Sequence, residues 1–410
     1  MDTFEDPITS DVLLALQLRT VNVPLLPRLK TFECEEATET FIPFIPLFLS
    51  PNTTEIHITS VRRSPIMVTA PMISRFSTLC PDLETITLNE LPRDSVITAA
   101  VSEMLLACNR NALQEFQVDS PLTEDARGVV CQLPRLSSLW IVIQGSTPLP
   151  TLALPNLVDV DVEYDDYLYW LQGFHGARLE KLESACFRCY SKQIGDFLGE
   201  FERVALTTSA HNTLSSFRFC TSRSWNPNYS SLLSFKQLKE LEIEFSCNGG
   251  CSSRVDDDVI ISLARAMPKL EILQLGGAPC KIPTGVTVNG LICLAYRCSR
   301  LSKLRIHFQV TSLVRTATSA ATESPSNDGT VVRRGNCALT NLEVGDIPIP
   351  VQSAFTVALI LLQIFPRISD VEFTNGEWRT VAETIKHFRQ IGAFVHRSGK
   401  AYHQIFNYPH

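Results

Sequence analysis

Few groups of residues in this sequence have the types and spacing that catalysis or metal binding requires. Cys186-x-x-Cys189 has the spacing of a zinc or redox pair, since two thiolates so placed can bind one metal ion or exchange a disulfide. A zinc finger needs a second pair at a suitable distance, and none follows. Cys186 also falls in a strand phrase, so we interpret the pair as structural. Cys247 and Cys251 flank a Gly-rich turn, where two free thiols in a loop are the alternative to a zinc or redox role.

Motifs of known enzyme classes are also missing from the sequence. The eight histidines form neither an H-E-x-x-H pair nor a tight cluster, and there is no G-x-S-x-G elbow, Walker loop or G-x-G-x-x-G turn. Carboxylates are plentiful, but they recur on one regular face, which indicates surface charge instead of a catalytic pair. The sequence therefore predicts a protein that is not an enzyme and has no catalytic, cofactor-binding or metal-binding residues.

Composition narrows the range of partners and compartments. The 410 residues carry a net charge of −7, which disfavours a nucleic-acid binder because such proteins normally have a basic stripe. The acidic N-terminus lacks the basic region of a signal peptide, and the most apolar run, from Phe355, has about a dozen residues, short of the roughly 20 that span a bilayer. We expect no membrane partner, and we expect the 13 cysteines to be reduced thiols in the cytoplasm or nucleus.

One short phrase recurs along the chain: an apolar residue, two variable residues, an apolar residue, one variable residue and another apolar residue. Its second half alternates with the period of a half-buried strand, as in Leu241-Glu242-Ile243. About thirteen copies occur, roughly 21 to 38 residues apart. The clear copies are LPRLKTFEC at Leu26, CPDLETITL at Cys80, LPRLSSLWI at Leu133, LPNLVDVDV at Leu154, FKQLKELEI at Phe235, MPKLEILQL at Met267 and CSRLSKLRI at Cys298, with weaker ones at Thr53, Leu113, Leu182, Leu214, Leu339 and Ile368.

Helical patterns lie between these phrases. Asp94 and Ser95 are suitable cap residues before an apolar stripe of Val96, Ala99, Ala100, Met104 and Leu105. Three carboxylates at 256–258 suit the N-terminus of another helix. A unit of strand, turn and helix cannot bury its apolar face alone, so stacked units predict a solenoid with one continuous core. We expect its buried residues to include Leu83, Ile86, Leu88, Leu238, Leu241, Ile243, Leu301, Leu304 and Ile306.

The pattern divides the chain into three parts. Residues 1–25 form an N-terminal cap segment with a short apolar helix from about Val12 to Leu18, and residues 26–376 form the solenoid. A Ser-, Thr- and Ala-rich stretch at about 311–336 breaks the repeat, and we interpret it as a flexible loop. Residues 377–410 are a C-terminal capping helix and tail, because Trp378, Val381, Ile385 and Phe388 fall on one helical face.

The phrases at Cys80 and Cys298 resemble the cysteine-containing leucine-rich repeats of F-box proteins. So does VDDDVIISLARAMPKLEILQLGGAPC, with its acidic helix start and following Cys280. The irregular repeat length and the Ser-rich loop are similar to those of fungal F-box/leucine-rich-repeat-like proteins. The resemblance covers nearly the whole chain. It implies an α/β leucine-rich-repeat solenoid, a horseshoe with one curved parallel sheet of about thirteen strands and outer helices.

The same resemblance implies a function, although the sequence departs from the family pattern in one respect. An F-box is a helical module of roughly 40 to 50 residues, and the first repeat phrase already begins at Leu26, so the F-box itself is not present in this chain. The family pattern then implies a non-enzymatic protein-binding scaffold, the substrate-recognition part of an SCF-type ubiquitin ligase. A ligase adaptor would be a partner only if an F-box is supplied elsewhere. The alternative is a regulatory leucine-rich-repeat protein of inhibitor or GTPase-activating type, unrelated to ubiquitination.

The candidate binding residues are the variable positions of the strands, whose side chains point out of the concave face. In the first half of the chain these positions are mainly acidic, and they include one tryptophan, an aromatic residue of the kind that anchors interfaces. We expect a protein or peptide ligand with a basic segment to bind there. The predicted partner-binding residues are Glu33, Glu35, Glu55, Glu115, Asp119, Trp140, Asp159, Asp161, Glu163, Arg188, Arg218, Lys303 and Arg305.

Overall fold

The structure of the chain is a computed structural model, and it forms two compact units. The first comprises residues 1–193 and 203–213, and the second comprises residues 194–202 and 214–410. The structure describes residues 10–19, 23–61, 65–145, 150–165, 171–174, 176–190, 194–223, 225–245, 255–276, 285–311, 337–344, 347, 349–373 and 376–397.

Parallel strands form the sheet of each unit, and neighbours in the sheet are neighbours in the chain. The first unit contains seven strands: β1 (Thr31–Cys34), β2 (Glu55–Ile58), β3 (Thr85–Leu88), β4 (Glu115–Pro121), β5 (Ser138–Ile143), β6 (Asp159–Tyr164) and β7 (Ser184–Cys189). The second unit contains six: β8 (Ser216–Thr221), β9 (Glu240–Phe245), β10 (Ile272–Leu275), β11 (Lys303–Ile306), β12 (Asn341–Val344) and β13 (Asp370–Phe373).

Helical segments connect these strands. The α-helices are α1 (Ser10–Arg19), α2 (Ile66–Ser74), α3 (Phe76–Leu79), α4 (Ser95–Ala107), α5 (Glu124–Val130), α6 (Phe197–Thr207), α7 (Asp257–Ala266), α8 (Val288–Arg297), α9 (Ala354–Ile364) and α10 (Arg379–Arg397). Short 3-10 helices occupy Ile42–Leu47, Ala210–Asn212, Tyr229–Leu232, Val351–Ser353 and Gly376–Trp378. An α/β fold of parallel strands is therefore confirmed, and each strand coincides with the alternating half of one repeat phrase. The single curved horseshoe stays a prediction.

The most deeply buried residues of the strands are the apolar ones that the repeat phrase predicts. In β3, Ile86 and Leu88 are fully buried, and Leu83 is buried just before them. The corresponding residues in and just before β9 and β11 are equally buried. The prediction that these nine residues belong to the core is therefore confirmed. The second unit adds an aromatic cluster to its core, in which the ring centroids of Phe197 and Phe219 are 4.6 Å apart. Neighbouring strands of a parallel sheet lie about 4.8 Å apart, so the side chains of one strand cover those of the next.

Helix α4 buries a different face from the predicted one. Asp94 does cap it, since its carboxylate accepts a hydrogen bond from the backbone N–H of Val96 at 2.8 Å. Val96 and Ala99 are exposed, however, and the prediction that both belong to the buried stripe is wrong. Positions that follow each other by three or four residues share a helix face, and the stripe begins one residue later than predicted. Its buried members are Ile97, Ala100, Val101, Met104 and Leu105.

Helices are present at both predicted terminal segments. Helix α1 covers the segment predicted from about Val12 to Leu18 and buries Leu13. Near α10, Trp378 is completely buried, and its indole N–H donates to the carbonyl of Ile347 at 2.8 Å. The predicted loop at 311–336 lies outside the described residues from 312 onward. Among the described helices, none has the length and apolar character needed to cross a membrane.

Candidate partner-binding surface

The first unit brings several predicted site residues side by side on one face of its sheet. The strand register places Trp140 of β5 next to Asp161 of β6, and Glu163 of β6 next to Arg188 of β7. In a parallel pair, residues in register lie on the same face, about 4.8 Å apart. Residues that are more than twenty positions apart in the sequence therefore form one continuous surface.

Trp140, Asp161 and Arg188 form the centre of this surface. The two terminal nitrogens of Arg188 donate to the two oxygens of Asp161, each at 2.8 Å. The guanidinium carbon of Arg188 also lies 5.6 Å from the centre of the Trp140 ring, within range of a cation–π interaction. Burial raises the pKa of Asp161, and the charge of Arg188 opposes that rise. The arginine is held by both neighbours, so the half-buried indole is presented in a fixed position.

Glu163 has an arginine partner that comes from a distant loop. Its Oε1 accepts from Nη2 of Arg93 at 2.7 Å, across 70 positions of the sequence. The loop that carries Arg93 is fixed on both sides. The backbone N–H of Leu91 donates to Asp119 at 3.0 Å, and Asp94 caps α4 as described above. Asp119, predicted as a partner-binding residue, thus positions this loop.

A cavity of about 260 Å³ lies where strands β5, β6 and β7 end. Gln144, Asp165 and Tyr190 directly follow the three strands and line it. The remaining lining residues are Arg93, Val142, Ile143, Glu163 and Tyr164. The cavity therefore lies beyond the carboxyl ends of three successive parallel strands.

The acidic residues predicted on the outward face of the strands, here called the acidic stripe, are partly neutralised by arginines of the same chain. Asp161 pairs with Arg188, and Glu163 pairs with Arg93. The cause is the parallel register, which sets Arg188 beside the acidic strand, together with the long reach of Arg93. Among the described residues, five carboxylates of the stripe have no ion-pair partner: Glu33, Glu35, Glu55, Glu115 and Asp159.

The predicted basic residues of the second unit are mostly engaged in ion pairs. Arg218 of β8 bonds to Glu242 of β9 at 2.6 Å. Arg305 of β11 bonds to Glu244 at 2.9 Å and to Glu343 at 3.0 Å. Each pair joins different strands, so these arginines stabilise the sheet of the second unit. Lys303 lies half-buried at the start of β11 and has no ion-pair partner among the described residues.

The cysteines that suggested metal or redox chemistry occupy structural positions. Cys186 and Cys189 are both buried in β7, and neither forms a disulfide among the described residues. Cys186 also donates to Asp161, which ties the two strands together. Within the described ranges, no group of three or more potential ligands could hold a metal ion. Cys247 and Cys251 lie outside the described residues.

Four polar residues of the cavity were missed by the reasoning from sequence. Gln144, Asp165 and Tyr190 each follow a strand by one position, whereas the predicted map used only the outward positions of the strands themselves. The signal that could have found them is their place directly after three successive strands. Arg93 gave no such signal, because the contact with Glu163 depends on the path of the loop.

Comparisons with known proteins add no family to this picture. Neither a protein-family model nor a curated protein matches the chain.

Proposed function

We propose that this chain is a non-enzymatic leucine-rich-repeat scaffold that binds a protein or peptide on the sheet face of its first unit. The observation that carries the proposal is the half-buried Trp140, held by Arg188 next to the cavity at the strand ends. Trp, Tyr and Arg are the residues that most often dominate binding energy at protein interfaces. Here Trp140 of β5 contacts Arg188 of β7, and the exposed Tyr190 directly follows β7.

The chemistry around Trp140 also supports a protein ligand. Its indole nitrogen is buried and has no hydrogen-bond partner among the described residues. Around it lie the unpaired carboxylates Glu115 and Asp159, which favour approach of a basic segment. A rigid aromatic anchor with unpaired carboxylates nearby gives both affinity and a preferred orientation of the ligand.

The proposed identity of the scaffold is the substrate-recognition part of an SCF-type ubiquitin ligase in the cytoplasm or nucleus. This rests on the resemblance of the repeat phrases to those of F-box proteins. Because adaptor binding is the role of an F-box, we expect the recombinant chain on its own not to co-purify with the ligase adaptor. Co-purification at near-equal stoichiometry contradicts this expectation.

The binding proposal is tested by quantitative affinity capture from a cell extract with three baits. They are the parent chain, Trp140→Ala, and the control Tyr296→Ala, which removes an exposed aromatic residue from α8. We expect one or more proteins to be lost with Trp140→Ala, retained with Tyr296→Ala, and to bind the parent directly once purified. If every captured protein is retained equally by all three baits, the face around Trp140 is not the binding site.

A further inference from the structure

The cavity at the ends of β5, β6 and β7 contains an incompletely satisfied carboxylate. Glu163 is only 9% exposed, and its single described contact joins Oε1 to Arg93. Its second oxygen, Oε2, has no hydrogen-bond or ion-pair partner among the described residues. This oxygen is not a buried atom, so it is open to the cavity, and a carboxylate oxygen can accept more than one hydrogen bond. Oε2 therefore offers an acceptor to a ligand in the cavity.

The size of the cavity suits one amino-acid side chain. Its volume of about 260 Å³ is below the roughly 300–1,000 Å³ typical of sites for whole small molecules. Tyr164 provides an apolar wall in the interior, and Tyr190, 46% exposed, stands at the rim. Aromatic walls accommodate either a methylene stem or a flat guanidinium group.

The charges of the cavity select the sign of that side chain. Glu163 and the exposed Asp165 line it, and Arg93 is the only cation among the lining residues that the structure describes. Arg93 already gives one terminal nitrogen to Glu163, which leaves the net charge of these described residues negative. Arg188, the cation next to Glu163 in the sheet, is engaged by both oxygens of Asp161.

We propose that this cavity takes the cationic side chain of an arginine or lysine from the protein partner, a proposal that rests on the proposed function of the sheet face. The charged head lies between Oε2 of Glu163 and the carboxylate of Asp165, and the stem lies against the tyrosines. Arg93 is an intramolecular competitor for the same carboxylate. Its side chain is 63% exposed, so it can swing away without losing buried contacts.

Ligand-observed saturation-transfer NMR tests the proposal without a known partner, because it detects weak binding of small probes. The probes are Nα-acetyl-arginine methylamide, the corresponding lysine compound, the neutral citrulline isostere and the anionic glutamate compound. We expect saturation of the arginine and lysine side chains on the parent chain, and binding about tenfold weaker or more for citrulline. Equal binding of citrulline and arginine, preference for glutamate, or no binding of either cation overturns the proposal.

Three variants then locate the bound probe. Glu163→Gln and the milder Asp165→Asn are both expected to weaken binding of the arginine probe, and Asp165 is exposed enough that its variant keeps the fold. Arg93→Ala is expected to tighten binding about threefold or more, because it removes the competitor. If the ion pair between Arg93 and Glu163 only holds the loop in place, removing Arg93 does not raise the affinity for the arginine probe. An unchanged or weaker affinity in Arg93→Ala therefore contradicts the proposal.

The two proposals can fail separately. If partners require Trp140 but the cationic probes do not bind, the cavity proposal is wrong and the binding face stands. If the probes bind but no partner depends on Trp140, the proposed function is wrong and the cavity remains a site for a cationic side chain.

Discussion

The carboxylate of Asp257, in the first turn of α7, accepts a hydrogen bond from the backbone N–H of Gly290 in α8 at 3.1 Å. The same carboxylate accepts from the backbone N–H and the hydroxyl of Thr287, the residue that precedes α8. An acidic residue at the start of one helix thus satisfies the free N–H groups at the start of the next. One of the three carboxylates recognised in the sequence as a helix start, Asp257, therefore also joins two successive repeats.

The contact between Asp257 and Gly290 predicts an unusual response to Gly→Ala substitution. Alanine normally stabilises a helix by up to about 1 kcal/mol relative to glycine. At position 290, however, a Cβ would lie 2.6 Å from Oδ1 of Asp257. We expect Gly290→Ala to lower the free energy of unfolding by about 1–2 kcal/mol, measured by urea denaturation.

Gly128 of α5 is the matched control, because no atom lies within 4 Å of a Cβ added there. Gly128→Ala is expected to leave stability unchanged or to raise it. In an Asp257→Ala background, Gly290→Ala should no longer destabilise, since the colliding carboxylate is gone. Equal effects of Gly290→Ala in both backgrounds would show that this contact does not determine the response.

The ion pair between Arg188 and Asp161 is expected to be energetically coupled. Both side chains are mostly buried, with exposures of 30% and 20%, and removing one partner leaves the other charge poorly solvated. We expect Asp161→Ala and Arg188→Ala each to lower the free energy of unfolding by about 2 kcal/mol. The double variant should lose clearly less than the sum, as measured in a double-mutant cycle. Strict additivity would show that the pair contributes little.

The unpaired carboxylates Glu115 and Asp159 predict the kinetics of partner binding. For a partner with a basic segment, Glu115→Lys/Asp159→Lys should slow association and weaken its dependence on salt, because long-range attraction is lost. The measurement is the association rate at several salt concentrations, using a partner identified by capture. The control, Glu180→Lys/Glu383→Lys, makes the same charge change outside the strands. If both double variants slow association equally, net charge and not the sheet face is responsible.

Because Cys298 is buried, we expect its thiol to react far more slowly with alkylating reagents than that of the nearby Cys293. Burial raises the pKa of Cys298 to about 12 from 9.0, with further upward contributions from the neighbouring Cys337 and Cys293. Its thiol donates to the carbonyl of Met267 at 3.7 Å. At pH 9 we expect iodoacetamide to modify the half-buried Cys293 of the native protein while Cys298 stays unmodified, as followed by mass spectrometry. Equal modification rates would contradict a buried, protonated Cys298.

The same shift has a consequence for stability at alkaline pH. The folded state holds the Cys298 proton more tightly than the unfolded state, so this thiol contributes stability that is complete below pH 9 and disappears as the pH rises towards 12. We expect the urea midpoint to fall above pH 9, and to fall less steeply in Cys298→Ala. An identical pH dependence in the parent and the variant would assign the loss to other groups.

The sequence by itself determined the strands and their buried side. Alternation in phrases such as Leu241-Glu242-Ile243 depends only on the two-residue period of a strand, so Leu241 and Ile243 could be assigned to the core without knowledge of any neighbour. The helix cap at Asp94 was predicted for the same reason, because capping is a local hydrogen bond. The stripe of α4 was placed one residue too early, since near a helix end several neighbouring residues satisfy the same spacing.

Only the tertiary structure decided which charges are neutralised and where a cavity forms. The register of β6 and β7 sets Arg188 beside Glu163, from where its side chain reaches diagonally to Asp161. Arg93 reaches Glu163 because the loop before α4 is fixed at Leu91 and Asp94. Such contacts depend on loops of irregular length, whose paths are set by packing and not by a repeating pattern. The sequence therefore showed an acidic face around Trp140, and the fold converted part of it into internal ion pairs beside a small cavity.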